Sequence, residues 1–474
     1  MVGSGQNGWL EGGGLSRAVE RTADGRPQTA DVAVRWCRSD DFQQALPVCR
    51  NLRYKRNVCG RRSVVGGLPC SLPKSAVLSY LCTLMHKVFL KRKIAPRIAN
   101  GHPWIFANEV EKAEGEIEGG DTVEVFTHDK KFVGKGYINP KSQILVRLLT
   151  RQKNEEINNG FFLKKIKECW DYRQKIGYTE NCRLVFGEAD GLPQCIIDKF
   201  NDYFVIQTLA LGIDKWKPAL VEALNTVFNP KGIYERNDVP VRELEGLPQQ
   251  KGFLSAPFDT KIIINENGLK FHVDLENGQK TGYFLDQQDN RRATRHIVKD
   301  AEVLGAFTYT GTFEIHAASY GAKSVLGLDI SENAVNQANR NAELNGLQDI
   351  VKFETANAFD VLKQWGKDGR QYDVVMLDPP AFTKSRETIQ KAITGYKEIN
   401  LRGMKLVRPG GFLVTSSCTN LVNPELFLQI IDMAAKDARR KIRQVTFQAQ
   451  SSDHPIIWGM DNTQYLKFLI VQVL

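Results

Sequence analysis

Short apolar runs alternate with helix-like periodicity along the C-terminal part of the chain. Val303 to Phe307 is one such run, as expected of a strand buried on both faces of a parallel sheet. Residues 308–311 interrupt it, the apolar positions from Phe313 to Tyr320 fit one face of a helix, and 324–328 is a second strand. A unit of this kind places free backbone N–H groups of the loop beside a ligand at the carboxyl edge of a sheet.

The alternation continues to the end of the chain. Ser331 is a suitable N-cap for a helix that ends at Asn345-Gly346. After it we predict a strand and its loop at 351–359, a strand at 372–377, a helix at about 388–407, a strand at 412–418, a helix at 424–438 and two final strands at 444–450 and 465–474. Alternation over this length predicts a doubly wound α/β domain, in which the last two strands form a hairpin with one strand antiparallel.

The preceding residues show two other patterns. Short strands and turns from Val88 to about Thr150 predict a small β-barrel. An amphipathic helix near 161–176, three strands, a second helix and a further strand predict a compact α+β domain. The pair Asn267-Gly268 predicts a hairpin that leads into the segment 278–292. The chain is thus a multidomain α/β protein, divided at 85–155, 156–260 and 261–474.

Residues 1–84 differ from the rest because they are rich in Gly, Arg and Cys, have little Lys, and show no sustained periodicity. Met85 opens a Lys-rich segment that is typical of a protein start. We predict that 1–84 is a non-native and mostly disordered extension. The alternative is a transit peptide. Transit peptides usually lack acidic residues, whereas this segment contains Glu11, Glu20, Asp24, Asp31, Asp40 and Asp41, which argues against that alternative.

Composition limits the classes of function. A chain of 474 residues is too long to fold around a single hydrophobic core, so we expect more than one domain. The sequence contains no run of eighteen apolar residues, so we predict no membrane span. The formal charge of +10 favours a polyanionic partner, with nucleic acid first and an anionic membrane surface second. The nine cysteines include no C-x-x-C pair, which argues against a zinc site, and their sparse distribution after Met85 suits a reducing cytosol. We therefore expect a cytoplasmic protein without a metal.

Basic residues occur in two sets. One is a cluster ahead of two aromatic residues, either a phosphate-binding face or a solvated face over a core tryptophan: Lys91, Arg92, Lys93 and Arg97 before Trp104 and Phe106. The other lies in the middle domain, where the residues either contact RNA or are simply surface residues: Arg173, Arg183, Arg236 and Arg242.

Candidate chemistry lies in loops that follow predicted strands. Asp329 stands where an acidic residue can bind a ribose diol. Asp378 is followed by two prolines that stiffen the backbone, so its carboxylate can accept a hydrogen bond from an amine or a protonated ring nitrogen; the alternative is a helix cap. Cys418 ends the fifth strand, either as a small buried hydrophobe or as a nucleophile.

Seven motifs carry a resemblance to a known family. They are GHPWIF (101–106), FGEADGLP (186–193), KTGYFLDQQDNR (280–291), FTYTGTF (307–313), LDPPAF (377–382), SSC (416–418) and DHP (453–455). With them, residues 85–474 resemble the bacterial ribosomal RNA large subunit methyltransferase I family, which makes 5-methylcytosine in 23S rRNA with S-adenosylmethionine. The resemblance implies a PUA barrel at 85–155, the middle α+β domain, and a Rossmann-like class I methyltransferase domain at 261–474.

The resemblance also implies a set of site residues. Cys418 would be the nucleophile and Asp378 would hold the base, with S-adenosylmethionine as cofactor and 23S rRNA as partner. The cofactor-binding residues would be Lys280, Tyr283, Asp286, Gln287, Phe307, Tyr309, Thr310, Gly311, Phe313, Asp329, Asn357, Asp378 and Pro379. The chain departs from the family at Thr312, where a second glycine is common, and at Asn357, where an acidic residue is common.

Other functions remain open from the residues themselves. Methylation at a base nitrogen suits an Asp-Pro-Pro-aromatic loop, although nitrogen chemistry needs no cysteine adduct. A nicotinamide oxidoreductase is disfavoured because G-x-G-x-x-G is missing. A non-catalytic RNA-binding assembly factor would explain Thr312 and Asn357. The sequence leaves the oligomeric state open, a homodimer included.

Removal of residues 1–84 tests the predicted extension. We expect the protein that starts at Met85 to keep the folded state and the activity of the full chain, because the removed residues contribute none of the predicted domains. Thermal unfolding and a methyl-transfer assay of both forms measure this. A loss of solubility or of activity in the shortened protein would contradict the prediction.

Overall fold

The structure, a computed structural model, describes residues 86–383 and 385–474. It also describes two short strands, β1 (Val64–Val65) and β2 (Leu68–Pro69), which pair antiparallel. The rest of the predicted extension at 1–84 lies outside the described residues. Its proposed disorder and non-native origin therefore stay predictions.

The N-terminal domain is a six-stranded sheet around one apolar core. Its elements are β3 (His86–Leu90), α1 (Pro96–Ala99), β4 (Trp104–Ile105), β5 (Val110–Glu114), β6 (Thr122–Phe126), β7 (Phe132–Ile138) and β8 (Val146–Thr150). The strand order is β4-β8-β7-β6-β3-β5, and the pair β3–β6 alone is parallel. Strand β5 was not predicted, because charged residues separate its two buried positions, Val110 and Ala113.

The middle domain is a five-stranded sheet with two longer helices packed together. Its elements are α2 (Asn159–Lys175), β9 (Asn181–Phe186), β10 (Cys195–Phe200), β11 (Tyr203–Thr208), α3 (Leu211–Lys215), α4 (Lys217–Phe228), β12 (Gly232–Asn237), α5 (Val241–Leu244) and β13 (Gln250–Phe253). The order is β13-β12-β11-β10-β9, with β11 and β12 parallel. Helices α2 and α4 pack against each other, and both contribute to the core of this sheet. The predicted α+β architecture is confirmed.

Four arginines of the middle domain are buried in ion pairs. The pairs are Arg173–Asp190, Arg183–Asp198, Arg236–Asp238 and Arg242–Asp214. Each arginine is less than a tenth exposed. The interpretation of these residues as simple surface cations is therefore wrong, because a buried guanidinium needs a carboxylate partner to offset its desolvation.

Buried polar contacts join the first two domains. Glu245 accepts hydrogen bonds from Asn139 at 2.9 Å, Ser142 at 2.6 Å and Arg147 at 2.7 Å. The indole N–H of Trp104 donates to Glu188 at 2.8 Å. Two of the motifs found in the sequence, GHPWIF and FGEADGLP, thus fix the barrel to the middle domain.

The C-terminal domain starts with a hairpin and continues as a seven-stranded sheet. Its elements are β14 (Lys261–Glu266), β15 (Leu269–Asp274), α6 (Gln288–Ala293), β16 (Glu302–Ala306), α7 (Thr312–Ser319), β17 (Ser324–Asp329), α8 (Glu332–Leu344), β18 (Val351–Thr355), α9 (Ala358–Lys367), β19 (Tyr372–Leu377), α10 (Ile389–Leu406), β20 (Val407–Ser417), α11 (Pro424–Ala438), β21 (Ile442–Gln448) and β22 (Lys467–Val473). Short 3-10 helices lie at Ala107–Glu109, Gly187–Asp190, Leu285–Gln287, Thr294–His296, Arg386–Thr388 and Asp461–Thr463.

The sheet order places several loops at one edge. The order is β18-β17-β16-β19-β20-β22-β21, in which the first five strands are parallel and β22 is antiparallel to both neighbours. Val303 and Leu304 of β16 pack into different cores, so this strand is buried on both faces as predicted. The chain direction across the sheet reverses between β16 and β19, and ligands of open α/β sheets bind at such a switch point.

Two local features differ from the prediction. Helix α9 occupies 358–367, whereas we predicted a loop up to 359 and no element from 360 to 371. The Asn357 side chain caps this helix by accepting from the Phe359 amide. The sequence Pro409-Gly410-Gly411, which we expect to turn the chain between the predicted helix and strand, lies inside β20, where the partners jump from Tyr372↔Val407 to Val374↔Phe412. Gly410 has a φ of +84° there, a conformation that favours glycine.

Two kinds of feature are absent from the described ranges. No helix within them is both long enough and apolar enough to cross a membrane. Within the same ranges, His, Cys, Asp and Glu side chains form no group of three or more that could hold a metal ion.

Two glycines in left-handed conformations allow a matched test of packing beside the switch point. Gly311 has a φ of +78° and a Cβ there would lie 2.4 Å from Phe353, whereas Gly346 has a φ of +66° and open space around it. We expect Gly346→Ala to lower the free energy of unfolding by about 1 kcal/mol from backbone strain. Gly311→Ala should lower it by about 2 to 4 kcal/mol, because overpacking adds to that strain. Urea unfolding of the two variants measures this, and equal losses would contradict the packing shown here.

Candidate active site

A cavity of about 720 Å³ opens at the carboxyl edge of the C-terminal sheet. It is lined by residues of the loops after β16, β17, β19 and β20, by Leu466 and Phe468, and by part of the segment before α6: Gln279, Lys280, Phe284, Asp286 and Gln287. This volume is in the range of small-molecule sites. The predicted site residues that line the cavity are Lys280, Asp286, Gln287, Phe307, Tyr309, Phe313, Asp329, Asp378, Pro379 and Cys418.

The loop after β16 is held in an uncommon backbone conformation. Phe307 and Tyr309 have φ values of +66° and +48°, which side-chain-bearing residues rarely adopt. The amides of Phe307 and Thr308 donate to the Leu328 carbonyl at 2.9 and 3.1 Å. Strain of this kind costs on the order of 1–3 kcal/mol per residue and concentrates at functional sites.

Asp329 joins the loops after β16 and β17. Its Oδ2 accepts from the Tyr309 amide at 2.8 Å, and its Oδ1 accepts from the Ser331 amide at 2.9 Å. Both oxygens keep further lone pairs, and the side chain lines the cavity. The arrangement suits a neutral donor pair such as a ribose diol.

Asp378 is held by two side chains from other segments. Gln287 Nε2 donates to both carboxyl oxygens at 3.1 Å, and Ser416 Oγ donates to Oδ1 at 2.5 Å. Burial raises the pKa of the Asp378 carboxyl, while the hydrogen bond from Ser416 acts in the opposite direction. The carboxyl is therefore fixed in direction, and burial favours its protonated form more than in an exposed aspartate.

Asp286 on the facing wall is ionised. Burial alone would raise its pKa, but Lys280 Nζ at 2.5 Å and the Tyr465 hydroxyl at 2.6 Å hold the pKa of Asp286 well below its usual range. Lys280 has a left-handed backbone with a φ of +54°. Asp286 thus orders the segment that covers the cavity.

Cys418 follows β20 and is a half-buried free thiol that lines the cavity. Burial raises the pKa of this thiol, and the neighbouring Asp378 raises it further. The cations Lys280 and Lys467 lower it. Its reactivity therefore depends on nearby positive charge.

Lys467 is a buried lysine at the start of β22. Its ammonium donates to the Thr419 carbonyl at 2.8 Å and to the Tyr465 carbonyl at 2.9 Å. Burial lowers the pKa of Lys467 to about 8, and Cys418 acts against that effect. It ties the Cys418 loop to the start of β22 and to the residues just before it.

Four predicted cofactor residues lie outside the cavity wall. Tyr283 is buried beside Phe271, the Thr310 carbonyl accepts from Asn341 at 3.0 Å, Gly311 packs against Phe353, and Asn357 caps α9. These contacts give each of them a structural role. Their part in cofactor binding stays a prediction.

Sequence reasoning missed several residues of the cavity. These include Phe284, Arg291, Glu314, Ser331, Leu466 and Phe468 among the lining residues, along with Tyr465 and Lys467 behind them. A signal was present for some of them, since a charged residue in an otherwise apolar strand or helix needs a buried partner. Lys467 and Glu314 both fit that description.

The cavity suits the cofactor that the resemblance implies. Three buried polar atoms that belong to lining or flanking side chains have no hydrogen-bond partner among the described residues: Asp286 Oδ1, Thr308 Oγ1 and Glu314 Oε2. Unpaired buried acceptors are costly unless a ligand supplies donors. S-adenosylmethionine carries a positively charged sulfur, an ammonium and a ribose diol, so its charge and donors complement these acceptors and Asp329.

The role of Lys467 in the Cys418 environment can be tested by alkylation. In Lys467→Met, Cys418 should react with iodoacetamide several-fold more slowly at pH 7, where Lys467 with a pKa of about 8 is mostly charged, because loss of that cation disfavours the thiolate. Peptide mass spectrometry identifies the alkylated cysteine. Lys436→Met, at an exposed position of α11, serves as the control and should react at the unchanged rate. Equal rates in all three proteins would show that Lys467 does not influence the thiol.

Comparison with known proteins gives concordant results. Residues 88–151 match a PUA-like domain family, and residues 250–471 match an S-adenosylmethionine-dependent methyltransferase family. The chain also resembles SMU.776, solved in complex with SAH, with a TM-score of 0.70 at 19% identity over 82% of this chain and 100% of that one. A candidate methyltransferase from Streptococcus mutans aligns with a TM-score of 0.69 at 20% identity and the same coverage. At these identities the likeness shows the fold.

Sequence relatives are closer. Ribosomal RNA large subunit methyltransferase I of Shewanella denitrificans is 41% identical over 379 residues, which is 78% of this chain and 95% of the relative. The Vibrio parahaemolyticus protein of the same name is 40% identical over 396 residues, 82% of this chain and 99% of the relative. The chain is therefore an S-adenosylmethionine-dependent methyltransferase and belongs to the ribosomal RNA large subunit methyltransferase I family.

Proposed function

We propose that this protein methylates C5 of a cytosine in large-subunit (23S) ribosomal RNA through a covalent adduct with Cys418. The observation that carries the proposal is that the Cys418 thiol lines the same cavity as Asp378 and the loop 307–309. A thiol, a buried carboxyl group and the proposed cofactor loop thus line one pocket. The ribosomal RNA target is supported by the names of the relatives.

Cys418 begins the reaction in this proposal. Its thiol loses a proton to solvent, and the thiolate forms a bond to C6 of the cytosine. The electron pair of the C5=C6 bond then shifts into the ring, which makes C5 nucleophilic. This step is needed because C5 of free cytosine attacks an electrophile poorly.

Asp378 holds the Watson–Crick edge of the base. Negative charge develops at N3 when sulfur adds to C6, and a carboxyl whose pKa is raised by burial can give N3 its proton. The carboxylate then accepts hydrogen bonds from N3–H and the amino group. Gln287 and Ser416 keep it in that direction.

Methyl transfer and release complete the cycle. S-adenosylmethionine, when bound, supplies an electrophilic methyl on a positively charged sulfur. C5 forms a bond to this methyl as the methyl–sulfur bond breaks. A base then takes the C5 proton, the C5=C6 bond re-forms, and the C6–S bond breaks to return the Cys418 thiolate. N3 gives its proton back to the Asp378 carboxylate in the same stage, so that the product base is neutral.

The target nucleotide has to leave its helix to reach this cavity. A second cavity of about 460 Å³ shares Lys280 with the first and is lined by Arg183, Phe186, Arg236 and Tyr465. The arginines of this cavity are paired with Asp198 and Asp238, so its aromatic side chains are the groups that suit stacking of a nucleotide next to the flipped base.

The barrel offers a second RNA contact. Lys91, Arg92 and Lys93 are exposed, whereas Arg97 pairs with Glu109. The exposed trio fits the phosphate-binding interpretation of the basic cluster.

Methylation at a base nitrogen is less well supported. That reading uses the aromatic residue of the Asp-Pro-Pro-Ala-Phe segment to stack on the base. Phe382 instead packs on the Tyr396 ring, with centroids 4.5 Å apart, and is not part of the cavity wall. The thiol in the cavity has no role in nitrogen chemistry.

Cys418→Ala separates carbon from nitrogen methylation. We expect this variant to form no 5-methylcytosine, with a loss of at least about a thousandfold in rate, because no other step activates C5. Nucleoside mass spectrometry of a large-subunit rRNA fragment measures the product. Binding of S-adenosylhomocysteine should stay within twofold of the unmodified protein, which shows that the pocket is intact.

Cys169→Ala is the matched control. Cys169 is buried in the middle domain, and burial raises the pKa of its thiol well above the usual value, so its removal should leave 5-methylcytosine formation intact. Full activity of Cys418→Ala, or a methylated nitrogen in the product of the unmodified protein, would overturn the proposal.

A further inference from the structure

Glu314 is a buried acidic residue in the cavity that the proposed reaction does not use. It lies in the first turn of α7 and is 2% exposed. Its side chain lines the cavity together with Asp329 and Asp378. An acidic residue in such a position needs a partner, because burial of an unpaired carboxylate is expensive.

Gly305 makes the room for this carboxyl. A Cβ at Gly305 in β16 would lie 1.9 Å from Glu314 Oε1, so any side chain there would displace the glutamate. The backbone of Gly305 is not in the left-handed region, and the glycine is required by space alone. The strand is therefore shaped to fit the carboxyl against it.

The protein itself leaves Glu314 without a cationic partner among the described residues. Oε2 is buried and has no hydrogen-bond partner. Arg291 is close enough to favour the carboxylate, but its guanidinium donates to both oxygens of Glu266 in a buried pair. The charges of Asp378 and Asp329 disfavour a further negative charge nearby.

We propose that Glu314 binds the α-ammonium of S-adenosylmethionine. The ammonium is a compact cation with three N–H donors, whereas the positively charged sulfur has none, so the ammonium is the group that matches an unpaired carboxyl oxygen. The order along the sheet edge agrees: Asp329 is the last residue of β17, Glu314 lies against β16 and Asp378 follows β19. If S-adenosylmethionine places its ribose at Asp329 and its methyl group near Asp378, its amino-acid end lies beside Glu314. This inference rests on the cofactor and does not depend on which base is methylated.

Proton release should accompany binding. Burial, together with Asp378 and Asp329, raises the pKa of Glu314 to about 8, so the free carboxyl is mostly protonated at pH 7. A bound ammonium favours the carboxylate and lowers that pKa again. Binding at pH 7 should therefore release up to about 0.9 proton, and affinity should rise with pH between 7 and 8.

Calorimetry with two ligands tests this directly. The full chain is titrated at pH 7, in two buffers of different ionisation enthalpy, with S-adenosylhomocysteine and with its analogue that lacks the α-amino group. The unmodified protein should release close to one proton with the first ligand and none with the second. In Glu314→Gln, affinity for S-adenosylhomocysteine should fall at least about tenfold, with no proton release, while the deaminated analogue should bind within twofold of the unmodified protein.

Glu354→Gln is the matched control, because Glu354 is an exposed residue of β18 and does not line the cavity. This variant should show the same affinities and the same proton release as the unmodified protein. Equal losses for both ligands in Glu314→Gln would indicate a structural role and overturn the proposal. So would undiminished proton release, or unchanged affinity for S-adenosylhomocysteine. If Glu314→Gln does not fold, the test uses the unmodified protein alone. The ratio of its affinities for S-adenosylhomocysteine and for the deaminated analogue should increase between pH 7 and pH 8, and a ratio that does not increase overturns the proposal.

Discussion

The hydrogen bonds from Gln287 and Ser416 to the Asp378 carboxyl are the contact on which the site depends. They join three segments that are far apart in the sequence: Asp378 just after β19, Ser416 near the end of β20, and Gln287 just before α6. The two prolines after Asp378 restrict the backbone that presents this carboxyl. With Ser416 two residues before Cys418, the same contact also sets where the thiol lies relative to the acid.

The middle domain supports the cavity wall through buried charges. Asp198 of β10 accepts from Arg183 at 2.8 Å and from the Thr281 hydroxyl at 2.5 Å, next to Lys280. Asp453 accepts from the Arg183 amide at 2.7 Å, and its own carbonyl accepts from Arg173 at 2.8 Å. The covering segment is thus fixed from the neighbouring domain. Removing one partner of such a buried pair leaves a charge unpaired, at a cost of about 3–5 kcal/mol.

Periodicity and turn residues allowed much of the fold to be predicted. The run Val303 to Phe307 has the pattern of a strand buried on both faces, and Ser331 and Gly346 bound α8 through local chemistry that the sequence displays. Helix α9 was missed although its sequence displays it: Asn357 is an N-cap, and Phe359, Leu362 and Trp365 form an apolar face that packs into the same core as α10. The pattern within a segment shows which side is buried, and not which distant element covers it.

The same contrast between local patterns and contacts with distant residues explains which site residues were predicted. Asp378 and Cys418 were found because they follow strands whose carboxyl ends meet at one sheet edge. Lys467 and Glu314 were not found, since each matters through a neighbour that is distant along the chain, Thr419 for the first and Gly305 for the second. The four buried arginines show the opposite error, because a cation in the sequence does not reveal the carboxylate that neutralises it.

The most direct test of a cysteine adduct is a substrate from which the adduct cannot be released. A large-subunit rRNA fragment made with 5-fluorocytidine has no C5 proton to lose after methyl transfer, so the C6–S bond should persist. With S-adenosylmethionine present, the account predicts a protein–RNA species that survives denaturation and maps by peptide mass spectrometry to Cys418. Absence of that species, when the unsubstituted RNA is methylated at C5 under the same conditions, would contradict it, as would attachment at another residue.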